Sequence, residues 1–279
     1  MMRDMPIFLV ILILPSLLMA TDRNALPATL LNWQGEPDPL QSLGILVTDR
    51  PDFTEAGSTV GLDVMQLEVG YTYVDAGDAD SHAWGEPLLR VGVLANWLEC
   101  RIGVAPTTQR WHNGVSQRTH TGFEDLYLGV KIALTPQDGW LPEMALIPQM
   151  LVPTGSGEFT NDRVLPGLNW IYAWELTESC AVGGSTQYNT AVEEGDHRYD
   201  EWTQSLAVGH SLTEWIGVYT EWYASFTHQA REVGAEHYWN GGFSYLQSDD
   251  LQFDVRIGAG LNDRADDFIA GVGAAIRCP

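Results

Sequence analysis

From Val64 onward, hydrophobic and polar residues alternate with a period of two. "MQLEVGYTYVD" sets Met65, Leu67, Val69, Tyr71 and Tyr73 on one face and Gln66, Glu68, Gly70 and Thr72 on the other. "FEDLYLGVKIAL" sets Leu126, Leu128, Val130, Ile132 and Leu134 against Asp125, Tyr127, Gly129 and Lys131. "LQFDVRIGAGLN" sets Leu251, Phe253, Val255, Ile257 and Ala259 against Gln252, Asp254, Arg256, Gly258 and Gly260. Successive strand side chains point to opposite faces, so each stretch is a strand with one apolar and one polar side. The same reading predicts twelve strands, near 64–75, 86–95, 98–106, 122–135, 141–154, 164–177, 179–192, 199–212, 214–227, 237–247, 251–262 and 266–277. Pro148 and mixed parity blur the pattern between 141 and 177.

The links alternate in length. "AGDADSHAWG", "TTQRWHNGVSQRTHT", "GSGEFTNDR", "EEGDHRY" and "HQAREVGAE" read as long. Those around Asn96–Trp97, "PQDG", Glu178, Thr213–Glu214 and "SDD" read as tight, and "DRAD" is modest where a long one is due. An even number of strands joined alternately by short periplasmic turns and longer outward loops is the pattern of a bacterial outer-membrane barrel. A soluble sandwich or lipocalin-like barrel has no reason to sort its loops this way. Trp84, Trp97, Trp140, Trp202, Trp215 and Trp239 fall near links, where an interfacial girdle belongs.

The polar face carries Arg90, Glu99, Arg101, Asp125, Lys131, Asp254, Arg256, Asp267 and Arg277. A dry core would penalise each of these charges unless it were well paired, whereas a wet lumen lets them stay hydrated and pair across strands. The polar face is therefore expected inside. The fold class is all-β, a single antiparallel transmembrane β-barrel of about twelve strands with an N-terminal non-strand segment.

The N-terminus changes the picture in one respect. Arg3 precedes an apolar run, Ile7–Ala20, that is interrupted by Pro15 and ends on a small residue. It is short for a membrane span, so residues 1–20 read as a cleavable secretory signal. No Cys follows as a lipoprotein anchor, and no other apolar run reaches helix-spanning length. Crossing a membrane then requires a closed barrel. The expected organisation is a signal over 1–20, a periplasmic or lumen-plugging segment over 21–62, and an outer-membrane barrel over 63–279.

Charge excludes one class of partner. Lys+Arg number 14 against 37 Asp+Glu, a net charge of −23, which repels a nucleic-acid backbone. Lys131 is the only lysine; the arginines keep their charge when partly desolvated and grip carboxylates with two prongs. Cys100, Cys180 and Cys278 are too few and scattered for a disulfide framework or metal knuckle. His112 and His120 share one loop, and His197 stands beside Glu193, Glu194 and Asp196, without a compact ligand spacing. No metal and no cofactor are expected. His210 and Ser211 are strand neighbours pointing to opposite faces near a periplasmic turn, a poor arrangement for a nucleophile and its base. Catalysis is not expected.

One stretch, "TDRPDFTEAG" at 48–57, has no strand period yet crowds Asp49, Arg50, Asp52 and Glu55 around Pro51 and Phe53. Placed before the first strand, it suits a plug: Arg50 could pair with lumen carboxylates such as Glu68, Asp125 or Asp254, and Phe53 could wedge among lumen aromatics. A disordered periplasmic leader is the alternative. Tyr127, Tyr238 and Trp111 are candidates to contact an aromatic solute.

"TDRPDFTE", "MQLEVGYTYV" and the closing "GLNDRADDFIAGVGAAIR" together resemble a bacterial family of outer-membrane transporters of the MetA pathway of phenol degradation. The likeness runs from about Thr48 to Arg277. It covers Asp49, Arg50, Pro51, Asp52, Phe53 and Glu55, then Asn262, Asp263, Arg264, Asp266, Asp267 and Phe268. The resemblance implies an outer-membrane barrel tied to uptake of small aromatic or hydrophobic molecules, and assigns those residues no chemistry. Outer-membrane barrels usually end on an aromatic residue; this chain ends "AAIRCP". The expected function is passage of a small, aromatic or hydrophobic, solute, with outer-membrane lipid as the other partner and oligomeric state open. A non-transporting structural or surface-binding barrel is the rival reading and a lipid hydrolase the third.

Overall fold

The computed structural model describes residues 44–112, 117–193 and 196–278. The expected signal over 1–20, and residues 21–43 beyond it, lie outside the described residues. Half of the wall is β1 (Met65–Asp75), β2 (Ala79–Gly92), β3 (Leu98–Gly103), β4 (Pro106–His112), β5 (Gln117–Phe123), β6 (Leu126–Thr135) and β7 (Glu143–Val152). The other half is β8 (Leu165–Thr177), β9 (Cys180–Glu193), β10 (His197–Ser211), β11 (Ile216–His228), β12 (Glu236–Ser248), β13 (Leu251–Gly260) and β14 (Phe268–Cys278).

These segments make a closed antiparallel barrel of twelve wall strands. β1 pairs with β14 on one side and β2 on the other, which returns the sheet on itself. β2 pairs with β3 through Leu88–Gly92 and with β4 through Ala79–Ala83, so β3 and β4 are halves of one wall strand interrupted at Val104–Ala105. β5 and β6 are likewise one strand, interrupted at Glu124–Asp125. Closure leaves no open edge for lipid to satisfy.

The alternation decides which face is which. Arg90, Arg101, Glu99 and Lys131 are at most 1% exposed, while the wall residues Phe243, Val272 and Ile257 are more than 50% exposed. Charges are inside and the apolar faces outside, the reverse of a soluble barrel and what a lipid surround requires. Trp97, Trp140 and Trp215 project near one end, among the turns at 93–97, 136–142 and 212–215, hereafter the turn end. Trp84, Trp202 and Trp239 project toward the other, the loop end, so exposed indoles flank the apolar band on both sides.

Several expected boundaries shift. β2 begins at Ala79 rather than 86, leaving a three-residue link at 76–78 in place of a long loop. Most of "TTQRWHNGVSQRTHT" is strand too, in β4 and β5, and the remaining residues 113–116 lie outside the described residues. The link at 153–164 is long, with a short 3-10 turn at Gly157–Phe159, and those at 229–235 and 261–267 hold seven residues each. Loop length thus sorts less cleanly than expected. Beyond the lipid both faces of a strand are wetted, so the backbone ladder continues after the apolar alternation has faded. Pro148 lies inside β7; the β6–β7 ladder lacks pairs between Gly129↔Gln149 and Ile132↔Leu146, where Pro148 has no N–H to give.

Candidate functional site

Residues 44–64, before β1, lie inside the barrel and begin at its turn end. Leu46 donates its N–H to Asp249 O at 2.9 Å and packs with Leu246 and Ala275. The chain then crosses at mid-height and returns beside β3: Val60 N–H reaches Glu99 Oε2 at 2.9 Å, and Leu62 N–H reaches Asn96 Oδ1 at 2.9 Å. Lacking a ladder of its own, the segment satisfies its polar groups on inward-facing wall side chains.

Asp49 is the hub of the first contact. Its carboxylate meets Lys131 Nζ at 2.8 Å, Arg101 Nη1 at 2.5 Å and Arg90 Nη1 at 3.2 Å. It also accepts the N–H of Ala56 at 2.8 Å, while its own N–H goes to Glu68 Oε1 at 3.1 Å. Arg90 is shared with Glu99 (2.8 Å) and Glu68 (2.9 Å), and Arg101 with Glu55 (2.7 Å). Four carboxylates thus share three cations. Burial alone would raise the Asp49 pKa, but Arg90, Lys131 and Arg101 outweigh it and hold the carboxyl well below the usual range.

Arg50 reaches the opposite wall. Its Nη1 donates to Glu86 Oε2 at 3.1 Å, its Nε to Asp254 Oδ2 at 3.3 Å, and its Nη2 to Val272 O at 3.3 Å. Of the three carboxylates expected to pair with it, only Asp254 does. Glu68 is taken by Arg90, and Asp125 accepts from Gly155 N–H at 3.0 Å and Asn161 N–H at 2.8 Å, fastening the 153–164 loop. The guanidinium fits because the wall is bare beneath it. Gly70 and Gly273 are direct cross-strand partners, and a Cβ on them would lie 2.4 Å from Arg50 Cζ and 2.3 Å from Arg50 Nε.

The third contact is Glu221 on β11. Its carboxylate accepts Phe53 N–H (2.7 Å), Thr54 N–H (2.8 Å), Thr54 Oγ1–H (2.6 Å) and Asn240 Nδ2–H (3.2 Å). Phe53 stacks on Tyr223 at 4.7 Å between centroids, and Tyr223 on Tyr238 at 4.9 Å, a ladder of three rings along the wall. Arg256 donates to Pro51 O at 3.1 Å and Thr72 Oγ1 at 2.8 Å. Burial, then the nearby charges of Glu221 and Asp49, push the Asp52 carboxyl well above the usual range, with Arg256 only partly offsetting them.

On the loop side of this crossing lies a half-open cavity of about 470 Å³, bordered by Phe53 and Glu55 of the segment and by Tyr127, Asn169, Tyr199 and Glu201 of the wall. Tyr127 Oη–H donates to Gln149 Oε1 at 3.1 Å, and Asn169 Nδ2–H to Glu55 Oε2 at 3.1 Å. The structure therefore gathers Asp49, Arg50, Asp52, Phe53, Glu55, Arg90, Glu99, Arg101, Tyr127, Lys131, Tyr238, Asp254 and Arg256 around one crossing segment. It does not bring Asp263, Arg264 and Asp267 there; they lie in the 261–267 loop, where Arg264 Nη1 donates to Glu232 O at 3.4 Å.

Sequence reasoning missed Glu221, Glu86, Asn169 and the Gly70–Gly273 pair. Glu221 and Asn169 carried a usable signal, since each is a polar residue on the inward parity of its strand. Glu86 did not: it stands first in the expected 86–95 strand, and its φ of 34° between Gly85 and Pro87 breaks the alternation that would have shown its direction.

Among the described residues no group of three His, Cys, Asp or Glu side chains could hold a metal ion. Cys100, Cys180 and Cys278 are free thiols. His112 meets Asp80 at 2.5 Å and His120 meets Glu158 at 2.6 Å, both near the loop end, and His197 meets Gln229 O at 2.9 Å. Trp111 packs edge-on against His120, away from the cavity lining. His210 and Ser211 close β10 beside the 212–215 turn.

A family model described as "Putative MetA-pathway of phenol degradation" matches residues 48–278, from the crossing segment to the last strand. The chain belongs to this family. No curated protein matches the chain in sequence. Among solved structures, the COG4313 outer membrane channel from Pseudomonas putida F1 is similar with a TM-score of 0.62 at 12% identity, over 82% of this chain and 99% of that one. The transport unit of the autotransporter AIDA-I from Escherichia coli is similar with a TM-score of 0.50 at 8% identity, over 77% of this chain and 89% of that one. At these identities the likeness speaks to fold: this family member has the fold of an outer-membrane β-barrel. Its matched region begins at Thr48, within the segment bonded to the inward wall side chains, so that segment is part of the family's pattern.

Proposed function

We propose that the chain is an outer-membrane channel for a small, aromatic or hydrophobic, solute, and that its own residues 44–64 act as the constriction. The observation that carries this reading is the crossing of the lumen by residues 48–56, bonded to Arg90, Arg101 and Lys131 on one wall and to Asp254 and Glu221 on others. A structural strut would do best with an apolar, tightly packed interior. Here the contacts are ionic and hydrogen-bonded, and a 470 Å³ cavity remains on the loop side, bordered by rings and amides. Membership of a family described by phenol degradation supports the aromatic part of the reading.

The test is planar-bilayer conductance with liposome swelling in neutral phenolic solutes. Steps of small conductance and swelling by phenols support the reading. A barrel sealed in every condition would favour a purely structural role, and phospholipid hydrolysis lost in Ser211→Ala would favour an enzyme.

A further inference from the structure

The cavity on the loop side of the crossing segment has a chemistry of its own. Its lining combines rings from Phe53, Tyr127 and Tyr199 with five side-chain amides and two carboxylates, Glu55 and Glu201, and among the described residues it holds no Lys, Arg or His. The lumen cations Arg101, Arg90 and Lys131 are turned toward Asp49, Glu55, Glu68 and Glu99. Arg101 matches the Glu55 charge at 2.7 Å, so the lining's unmatched negative charge is that of Glu201, with hydrogen-bonding groups around it and no lining cation to receive an anionic solute.

Asn169 makes the requirement more specific. It is 3% exposed, borders the cavity, and donates its Nδ2–H to Glu55 Oε2 at 3.1 Å. A carboxylate only accepts, so that bond fixes which end of the amide is the nitrogen. The other end, Oδ1, is buried without a hydrogen-bond partner. Oδ1 has almost no surface of its own, so a solute reaches it only when the amide turns toward the cavity, and the cost of a buried orphan acceptor favours that turn once an N–H or O–H is offered. Phe53 supplies the apolar surface: one face of its ring is covered by Tyr223 at 4.7 Å, and unlike Tyr223 it borders the cavity, so a planar solute can extend the ladder. The volume, about 470 Å³, falls within the ~300–1,000 Å³ of small-molecule sites.

We infer that this cavity is a selectivity site for single-ring aromatic solutes that donate an N–H or O–H and carry no negative charge, stacking on Phe53 and donating to Asn169 Oδ1, while Glu201, which no cation among the described residues pairs, turns away aromatic carboxylates. The inference rests on the channel reading for its biological use but not for its test. Because Phe53 and Glu55 belong to the crossing segment, the site exists only while that segment is seated, and occupancy favours the seated state by linkage.

The experiment is equilibrium binding of benzyl alcohol, benzylamine and benzoate to the detergent-solubilised full chain, with swelling assays in parallel. Benzyl alcohol and benzylamine should bind, with benzoate weaker by about tenfold or more. Asn169→Leu should weaken the first two by about five- to tenfold, and Glu201→Gln should weaken benzylamine while sparing benzyl alcohol. Phe53→Leu, which keeps bulk and backbone but removes the ring, should weaken all three and guards against a misfolded Asn169 variant. Equal binding of benzoate and benzyl alcohol, or full affinity in both Asn169→Leu and Phe53→Leu, would overturn the inference. Swelling without charge preference would overturn it while leaving the channel standing. Selective binding without swelling would support the site and overturn the channel.

Discussion

Arg50→Ala removes one side chain from the crossing segment and leaves the barrel wall untouched. Four contacts disappear: Glu86 at 3.1 Å, Asp254 at 3.3 and 3.5 Å, and Val272 O at 3.3 Å. The Asp254 side chain is fully buried and Glu86 is 20% exposed, so solvent does not replace the lost charge at Asp254 while the segment stays seated. Charge-assisted hydrogen bonds contribute about 1.5–3 kcal/mol, and the contacts to Asp254 are long, so a loss of about 2–3 kcal/mol against the seated state is reasonable. That corresponds to roughly 30- to 150-fold more time displaced. Asp49 and Glu221 still hold either side, so the effect should be frequent brief openings rather than a permanently open pore. Single-channel recording reads this directly, with a heat-modifiable gel shift to show normal assembly. Arg50→Lys should recover only part of the closed behaviour, since it loses the two-pronged contact, and high salt should mimic the variant weakly. Unchanged opening frequency in a correctly assembled Arg50→Ala barrel would refute the reasoning.

Other perturbations reach the same segment from the wall. Gly273→Ala places a Cβ 2.3 Å from Arg50 Nε and should reproduce the openings of Arg50→Ala without altering any charge, as recorded by the same bilayer assay. Glu221→Ala strips the acceptor from two backbone N–H groups and Thr54 Oγ1, each costing about 1–3 kcal/mol if left unmet, and should open the channel more than Arg50→Ala. The pH response has two limbs. The Asp49 pKa is depressed in place, so its contribution is present above the ordinary carboxylate range and is lost only as pH falls through that depressed value. The Asp52 pKa is raised, so its contribution is present at low pH and is lost as pH rises through the elevated value. Opening frequency should therefore increase toward alkaline pH, and Asp52→Asn should flatten that rise.

The barrel was legible because lipid and lumen impose opposite demands on alternate residues. The parity of "MQLEVGYTYVD" and "LQFDVRIGAGLN" is enough to place Glu68 and Asp254 inside. Where lipid no longer acts, as in Ala79–Trp84 and Pro106–His112, alternation fades and strand reads as loop. The crossing segment was legible as an anomaly, a dense set of charges with no period, but its partners were not. Which of Glu68, Asp125 and Asp254 meets Arg50 depends on shear and on where β13 and β14 stand relative to β2, and no local pattern encodes either. Glycines at 70 and 273 illustrate the limit: in sequence they are gaps in alternation, and only their pairing across β1 and β14 makes them a slot for a guanidinium.

The central claim is that residues 48–57 obstruct the lumen, and deletion of those residues tests it most directly. Planar-bilayer conductance of the deletion variant, with its assembly checked by heat-modifiable migration, should exceed that of the intact chain, and liposomes should admit larger solutes. An assembled deletion variant with the conductance and solute range of the intact chain would contradict the account.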